Sequence, residues 1–296
     1  MEKIKINLEI KEDPDFFLKM KREIEKSTET IRLLNELKVP QEVIERNIAK
    51  IYHYVIDLNY CKNCPGIKKC DKHTPTLVTK LSYKNGFLDR ELVPCPQLIK
   101  RIMFEKKFLI RDFPEEWLDY DLRNLDKTDA RMFLISQYSK FTKEGDNSWI
   151  YLHGSPNTGK SFSAAIITND IAKKNYGQIC YLNCPQRIRE LSDFRYKEKG
   201  RFQEELNRLS NVPILVLDDF GNEYKSDMTR DEIIIPIILS RSNKRLFTIF
   251  TSDFKISEIV KLYSTSKPGE IRAKQIQDHI KTMVKEVIEF GDLPIY

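Results

Sequence analysis

Gly154-Ser155-Pro156-Asn157-Thr158-Gly159-Lys160-Ser161 is the stretch on which the reading of this chain turns. It satisfies G-x-x-x-x-G-K-[ST] at each constrained position. The glycines let the backbone turn so that successive N–H groups point at phosphate oxygens, and the helix that follows adds its positive N-terminal field. Lys160 is placed to reach the β- and γ-phosphates of ATP (or GTP), and the Ser161 hydroxyl to ligand Mg²⁺. Phe162, next in the chain, is counted with the loop as a nucleotide contact. The flanks agree with this. Trp149–His153 is a short apolar run that predicts a strand, and Lys160–Asn175 reads as a helix.

Outward from the loop, strands and helices alternate from about residue 126, which predicts an α/β domain with a parallel sheet covered on both faces. Ile179–Asn183 and Ile214–Leu217 are further strands, Leu246–Thr251 is a fourth, and Gln186–Leu209 is a charged helical stretch. Thr229–Arg241 reads as a helix kinked at Pro236, and Glu270–Phe290 as a closing helix. The Ile214 strand ends in Asp218-Asp219. Asp218 is expected to hold Mg²⁺, and Asp219 to orient or polarise the attacking water. Glu223 is either a further polar element of the site or an exposed turn residue. The fourth strand ends in Thr251-Ser252-Asp253, a polar tip where such sheets bind ligands; Asp253 reads equally as the cap of a helix starting near Lys255. Arg241, Arg245 and Arg272 are either surface charges or groups that complete a neighbouring subunit's site. Cys180 and Cys184 read as packing residues.

Upstream, residues 14–60 read as helices that break near Pro40, with Leu33, Leu34, Leu37, Val43, Ile44, Ile48 and Ile51 at three- and four-residue spacing. Strand-like pieces follow at Thr76–Ser82 and Gly86–Val93. Before and after them lie Cys61-x-x-Cys64 with Cys70, and Cys95, a spacing suited to tetrahedral Zn²⁺, with His73 as the alternative fourth ligand. The polar, turn-rich 61–71 segment offers little core in which to bury thiols. Such a site is structural, worth about 10 kcal/mol or more to a small domain. The expected division is 1–105 as a helical and zinc-binding domain, 106–125 as a linker, and 126–296 as the nucleotide-binding domain.

Hydrophobic residues at 41% and charged residues at 32% exclude a disordered or fibrous chain. No run approaches the ~20 apolar residues needed to cross a bilayer. The opening MEKIKINLEIKED has no apolar segment, so it is not read as a secretory signal. A cytoplasmic protein with reduced cysteines is the expectation. A net charge of +6 permits nucleic-acid contact without requiring it.

Three features together resemble the DnaI/DnaC-type bacterial replicative helicase loaders, the DnaI type more closely. They are Cys61-Lys-Asn-Cys64-Pro-Gly with Cys70 and Pro94-Cys95-Pro, the loop GSPNTGKS, and Leu217-Asp218-Asp219-Phe-Gly-Asn-Glu223 with Phe250-Thr-Ser-Asp253-Phe. The resemblance spans residues 50–290. It implies a C-terminal AAA+ P-loop ATPase domain and a smaller α+β N-terminal zinc-binding domain that engages the hexameric helicase. It further implies contact with single-stranded DNA and other primosome or initiator proteins, and self-association through the AAA+ domain. By the same resemblance Lys160 and Ser161 fall on Walker A, Asp218 and Asp219 on Walker B, and residues 251–253 on sensor 1. Asp253 stands where such loaders usually carry Asn, and Lys274 and His279 lie in a stretch where arginines are usual, so turnover is expected to be weak. The alternatives are an IstB-like transposition-accessory ATPase and a nucleotide-switched zinc adaptor with little hydrolysis.

Overall fold

A computed structural model describes residues 14–264 and 267–291, and the statements below concern these. The stretch 1–13, read above as lacking a secretory signal, lies outside them. The chain forms two compact units, 1–103 and 104–296.

In the first unit, α1 (Pro14–Lys26), α2 (Thr28–Glu36), α3 (Gln41–Arg46) and α4 (Ile48–Lys62) follow one another, then β1 (Leu77–Lys84) and β2 (Phe87–Pro94). The Ser27 hydroxyl caps α2 by accepting from Thr30 N at 3.4 Å. Lys38 in a left-handed conformation and Pro40 separate α2 from α3. Asn85 and Gly86, with φ of 52° and 81°, turn β1 into antiparallel β2. The core is small: Met20, Ile24, Leu34, Val39, Ile48, Ile51, Val55, Leu81 and Leu88. Not one of its residues comes from the 61–76 segment.

The division falls within α5 (Pro96–Glu105). Beyond it come β3 (Phe108–Arg111), α6 (Asp129–Glu144), β4 (Trp149–His153), α7 (Lys160–Lys173), β5 (Ile179–Asn183), α8 (Cys184–Lys197), α9 (Lys199–Asn211) and β6 (Ile214–Asp218). The order continues with α10 (Ile235–Lys244), β7 (Thr248–Ser252), α11 (Ile259–Tyr263), α12 (Lys267–Met283) and β8 (Val284–Glu289). The strands make one parallel sheet in the order β3-β5-β6-β7-β4-β8. Strands β4, β6 and β7 are buried at every position, as strands covered on both faces must be. One apolar layer centres on Leu182, Leu217, Ile237 and Phe250, the other on Ile150, Ile167, Val216 and Ile249.

Two sequence expectations are corrected here. The presumed linker 106–125 belongs to the second unit. Its Phe108-Leu109-Ile110 run forms an edge strand, with Ile179 N donating to Lys107 O at 2.8 Å and Asp112 N to Tyr181 O at 3.0 Å. The flanking Lys106, Lys107, Arg111 and Asp112 hid so short a run. The closing helix also ends early: α12 stops at Met283, and Val284–Glu289 lies parallel to β4. Without β8 one whole edge of β4 would keep unpaired N–H and C=O groups, and the β-branched Val284, Val287 and Ile288 suit a strand. A wide π-helical turn, Thr229–Ile234, runs directly into α10, and this irregular turn accommodates Pro236 at the second position of that helix.

Candidate functional site

The quoted loop leaves β4 and opens α7. Gly154, Asn157 and Gly159 have φ of +150°, +62° and +85°, which bend the backbone into a concavity before the helix. Gly154 is needed for a second reason. A Cβ there would lie 2.0 Å from Phe290 O, because the end of β8 runs against the loop. Thr158 Oγ1 ties the turn by donating to Ser155 O at 2.9 Å. Lys160 is buried, and its ammonium donates to Gly154 O at 2.6 Å, Ser155 O at 2.7 Å and Asp253 Oδ1 at 3.1 Å.

Asp218 ends β6 on the neighbouring edge of the loop. Burial pushes its carboxyl up, while hydrogen bonds from Thr251, Ser161 and Tyr181 pull it down. A buried carboxylate hydrogen-bonded to the Ser161 hydroxyl and short of positive charge is the arrangement a divalent cation completes. The residues present therefore fit Mg²⁺, with Ser161 and Asp218 as its holders. Asp219 follows in a left-handed conformation, with φ of 59°, half-buried at the sheet's carboxyl edge. Thr251 Oγ1 links the pair, donating to Asp218 Oδ1 at 2.5 Å and accepting from Asp219 N at 2.9 Å.

The polar tip of β7 therefore divides its tasks. Thr251 serves the two carboxylates. Ser252 Oγ donates to Phe220 O at 2.6 Å and accepts from Phe254 N at 3.1 Å, so its hydroxyl is committed to backbone rather than to a phosphate. Asp253 caps no helix: the short turn Ile256–Glu258 begins after Lys255, whose N–H donates to Glu258 Oε2 at 2.8 Å. It faces Lys160 instead, and Asn222 Nδ2 bridges Asp253 Oδ2 at 2.9 Å and Asp219 Oδ1 at 2.5 Å.

Beside the loop a cavity of about 430 Å³ is lined by Trp117, Asn124, Asp126, Arg131 and residues of the loop as far as Phe162. Phe162 meets Trp117 and Tyr120 edge-on, each with ring centres 5.4 Å apart. Trp117 and Phe162 give this cavity aromatic walls beside the loop. Trp117, Asn124, Asp126 and Arg131 were missed in the sequence because they lie in or next to the presumed linker. An aromatic in so polar a stretch was the available signal.

Glu223 is neither an exposed turn residue nor a phosphate neighbour. It is buried, accepting from Gly221 N at 2.9 Å and from the Tyr263 hydroxyl. Arg241 is not a surface charge: it is fully buried, donating to Leu209 O, Val212 O and Phe247 O and to Thr248 Oγ1 at 2.7–3.0 Å. Burial pushes its pKa down to about 9, which still leaves it charged at neutral pH. Arg245 and Arg272 are exposed, and His279 Nδ1 lies 3.1 Å from Ser242 Oγ. Cys180 and Cys184 are buried in the core.

In the first unit Cys61, Cys64, Cys70 and Cys95 line one cavity of about 140 Å³, together with Tyr60, Gly66 and Ile67. Backbone N–H groups of Thr76 and Lys72 point at the Cys70 sulfur and lower its pKa, and Leu98 N donates to Cys95 Sγ at 3.3 Å. Such donors favour the thiolate at these two positions, whereas burial pushes the Cys61 thiol up. Among the described residues, however, no three His, Cys, Asp or Glu side chains converge to metal-holding distance. His73 faces a different cavity, with His53, Asp57 and Asp71.

A parallel sheet with a phosphate loop after β4 and paired carboxylates after β6 defines an AAA+ P-loop ATP-binding protein. The chain belongs to the IstB-like ATP binding protein family, whose profile matches residues 102–267. It is similar to the replicative helicase loader DnaI of Bacillus subtilis (strain 168), with 28% identity over 286 residues and 90% of each chain covered. It is also 28% identical over 138 residues to the replicative helicase loader DnaC of Escherichia coli (strain K12), covering 45% of this chain and 55% of that one. A crystal structure of DnaI superposes with a TM-score of 0.55 at 27% identity, covering 65% of this chain and 99% of that one.

Proposed function

We propose that this protein is an ATP-dependent loader that binds the hexameric replicative DNA helicase and helps place it on single-stranded DNA. The observation that carries this is the alignment with the loader DnaI. It leaves only about a tenth of the chain outside, so it takes in the cysteine-bearing unit as well as the ATP-binding one. The transposition-accessory alternative rests on the family profile at 102–267, which does not reach Cys61, Cys64, Cys70 or Cys95. The role proposed for unit 1–103 is to bind helicase, and for unit 104–296 to bind ATP, contact DNA and self-associate. A replicative role implies a cytoplasmic location, and no described helix is long and apolar enough to cross a membrane.

In this reading Lys160 and the loop N–H groups hold the phosphates, and Ser161 and Asp218 hold Mg²⁺. Bound there, the cation offsets phosphate charge. Asp219 orients the attacking water, and Trp117, Tyr120 and Phe162 flank the base. Turnover by the isolated protein is slow in this reading, because the Asp253 carboxylate competes with phosphate for Lys160 and Arg272, the arginine of α12, is exposed. Cys61, Cys64, Cys70 and Cys95 hold a structural Zn²⁺; the sulfur-directed N–H groups of Lys72, Thr76 and Leu98 support this ligand set.

The test is gel filtration with light scattering of the full chain mixed with its own organism's replicative helicase, with and without ATP. A complex that raises ATPase activity on adding single-stranded DNA is expected. Failure to co-elute with the helicase under every nucleotide condition would remove the loader assignment while leaving ATP binding intact.

A further inference from the structure

The lysine of the phosphate loop makes three hydrogen bonds within the protein. An ammonium has three protons, and Lys160 spends them on Gly154 O, Ser155 O and Asp253 Oδ1. Two of these acceptors belong to the loop that lysine must vacate. The third is a carboxylate whose other oxygen is fixed by Asn222, so it is aimed at Nζ rather than free to swing into solvent. The Asp253 side chain is 25% exposed and that of Lys160 only 7%. Their attraction is thus screened less than that of a surface pair.

We propose that Asp253 is a latch on Lys160, competing with phosphate for the ammonium and lowering the preference for ATP over ADP. The proposal rests on the nucleotide reading of the site and deepens it. Two acceptors on one ammonium lie about 5 Å apart or less. A phosphate oxygen that takes a proton of Lys160 therefore comes within that distance of the Asp253 carboxylate. Lysine in such loops serves the β- and γ-phosphates, and ATP brings one more phosphate and one more negative charge than ADP. Like charges at this separation in a half-buried site repel appreciably, and ATP meets that repulsion more strongly. Asn222 moderates the effect, because its amide offsets part of the carboxylate charge while also fixing its direction.

The experiment measures dissociation constants of the full chain for fluorescent analogues of ADP and of non-hydrolysable ATP. Wild type is compared with Asp253→Asn, which keeps an acceptor for Lys160 and removes the charge, and with Asn222→Ala. In Asp253→Asn the ATP analogue is expected to bind about tenfold tighter and ADP about twofold, an asymmetry of the size one like-charge pair produces. In Asn222→Ala the ATP-to-ADP preference is expected to fall below wild type, since the carboxylate loses its compensating donor. A merely structural role would move both variants the same way and both nucleotides together. Parallel changes for ATP and ADP, or weaker ATP binding in Asp253→Asn, overturn the latch while the nucleotide site stands. A wild-type chain that binds neither analogue overturns the nucleotide reading itself, and the latch with it.

Discussion

Gly154 and Lys160 show how differently two residues of one motif are constrained. Gly154 answers to its neighbour as much as to phosphate, since Phe290 O occupies the place of a Cβ. Gly154→Ala is therefore expected to lose about 1–3 kcal/mol of stability, the usual range for overpacking. Urea unfolding measures it, and an unchanged midpoint would show that the end of β8 yields easily. Lys160→Ala should abolish binding of a fluorescent ATP analogue while circular dichroism shows the fold retained; retained binding would remove the phosphate-loop assignment. The motif residues were legible because their spacing is local. The partners of Thr251, Ser252 and Asp253 were not, because they lie some 30 to 90 positions away in the chain and meet only across the sheet.

At the scale of elements, Arg241 on α10 joins the end of α9, the start of β6 and the turn into β7 through five hydrogen bonds to backbone and Thr248. Truncation would leave several buried carbonyls without donors. Arg241→Met is expected to cost about 3 kcal/mol, lowering the melting temperature by roughly 6–12 °C for a unit of this size. A shift under 2 °C in calorimetry would show that water replaces the guanidinium. The helices and central strands were readable from period and apolar runs, as in Ile214–Asp218. The edge strands β3 and β8 were not. Phe108–Arg111 is too short to show a period, and 284–289 follows a helix whose polar pattern it continues. What makes each a strand is the open edge of β5 or β4 beside it.

At the scale of the molecule, two units with separate cores imply two separable stabilities. The first unit's core draws no side chain from the cysteine loop, so its order is expected to depend on metal. Elemental analysis of the full chain should find about one equivalent of Zn²⁺, as a tetrahedral four-thiolate site takes. Chelation should lower the melting of unit 1–103 while ATP-analogue binding persists. Loss of nucleotide binding on chelation would contradict that independence, and zinc retained by Cys61→Ser/Cys64→Ser would place the metal elsewhere.

The amino-acid order by itself determined the phosphate loop, the carboxylate pair, the parallel α/β class and the cysteine spacing, because each is written in contiguous residues or a short fixed interval. Only the tertiary structure decided that Lys160 is held by Asp253, that Arg241 is a buried clamp, that Trp117 and Arg131 line the cavity beside the loop, and that the supposed linker is a strand. Hydrogen bonds and burial depend on which distant segments the sheet brings together, and local sequence carries no record of that neighbourhood.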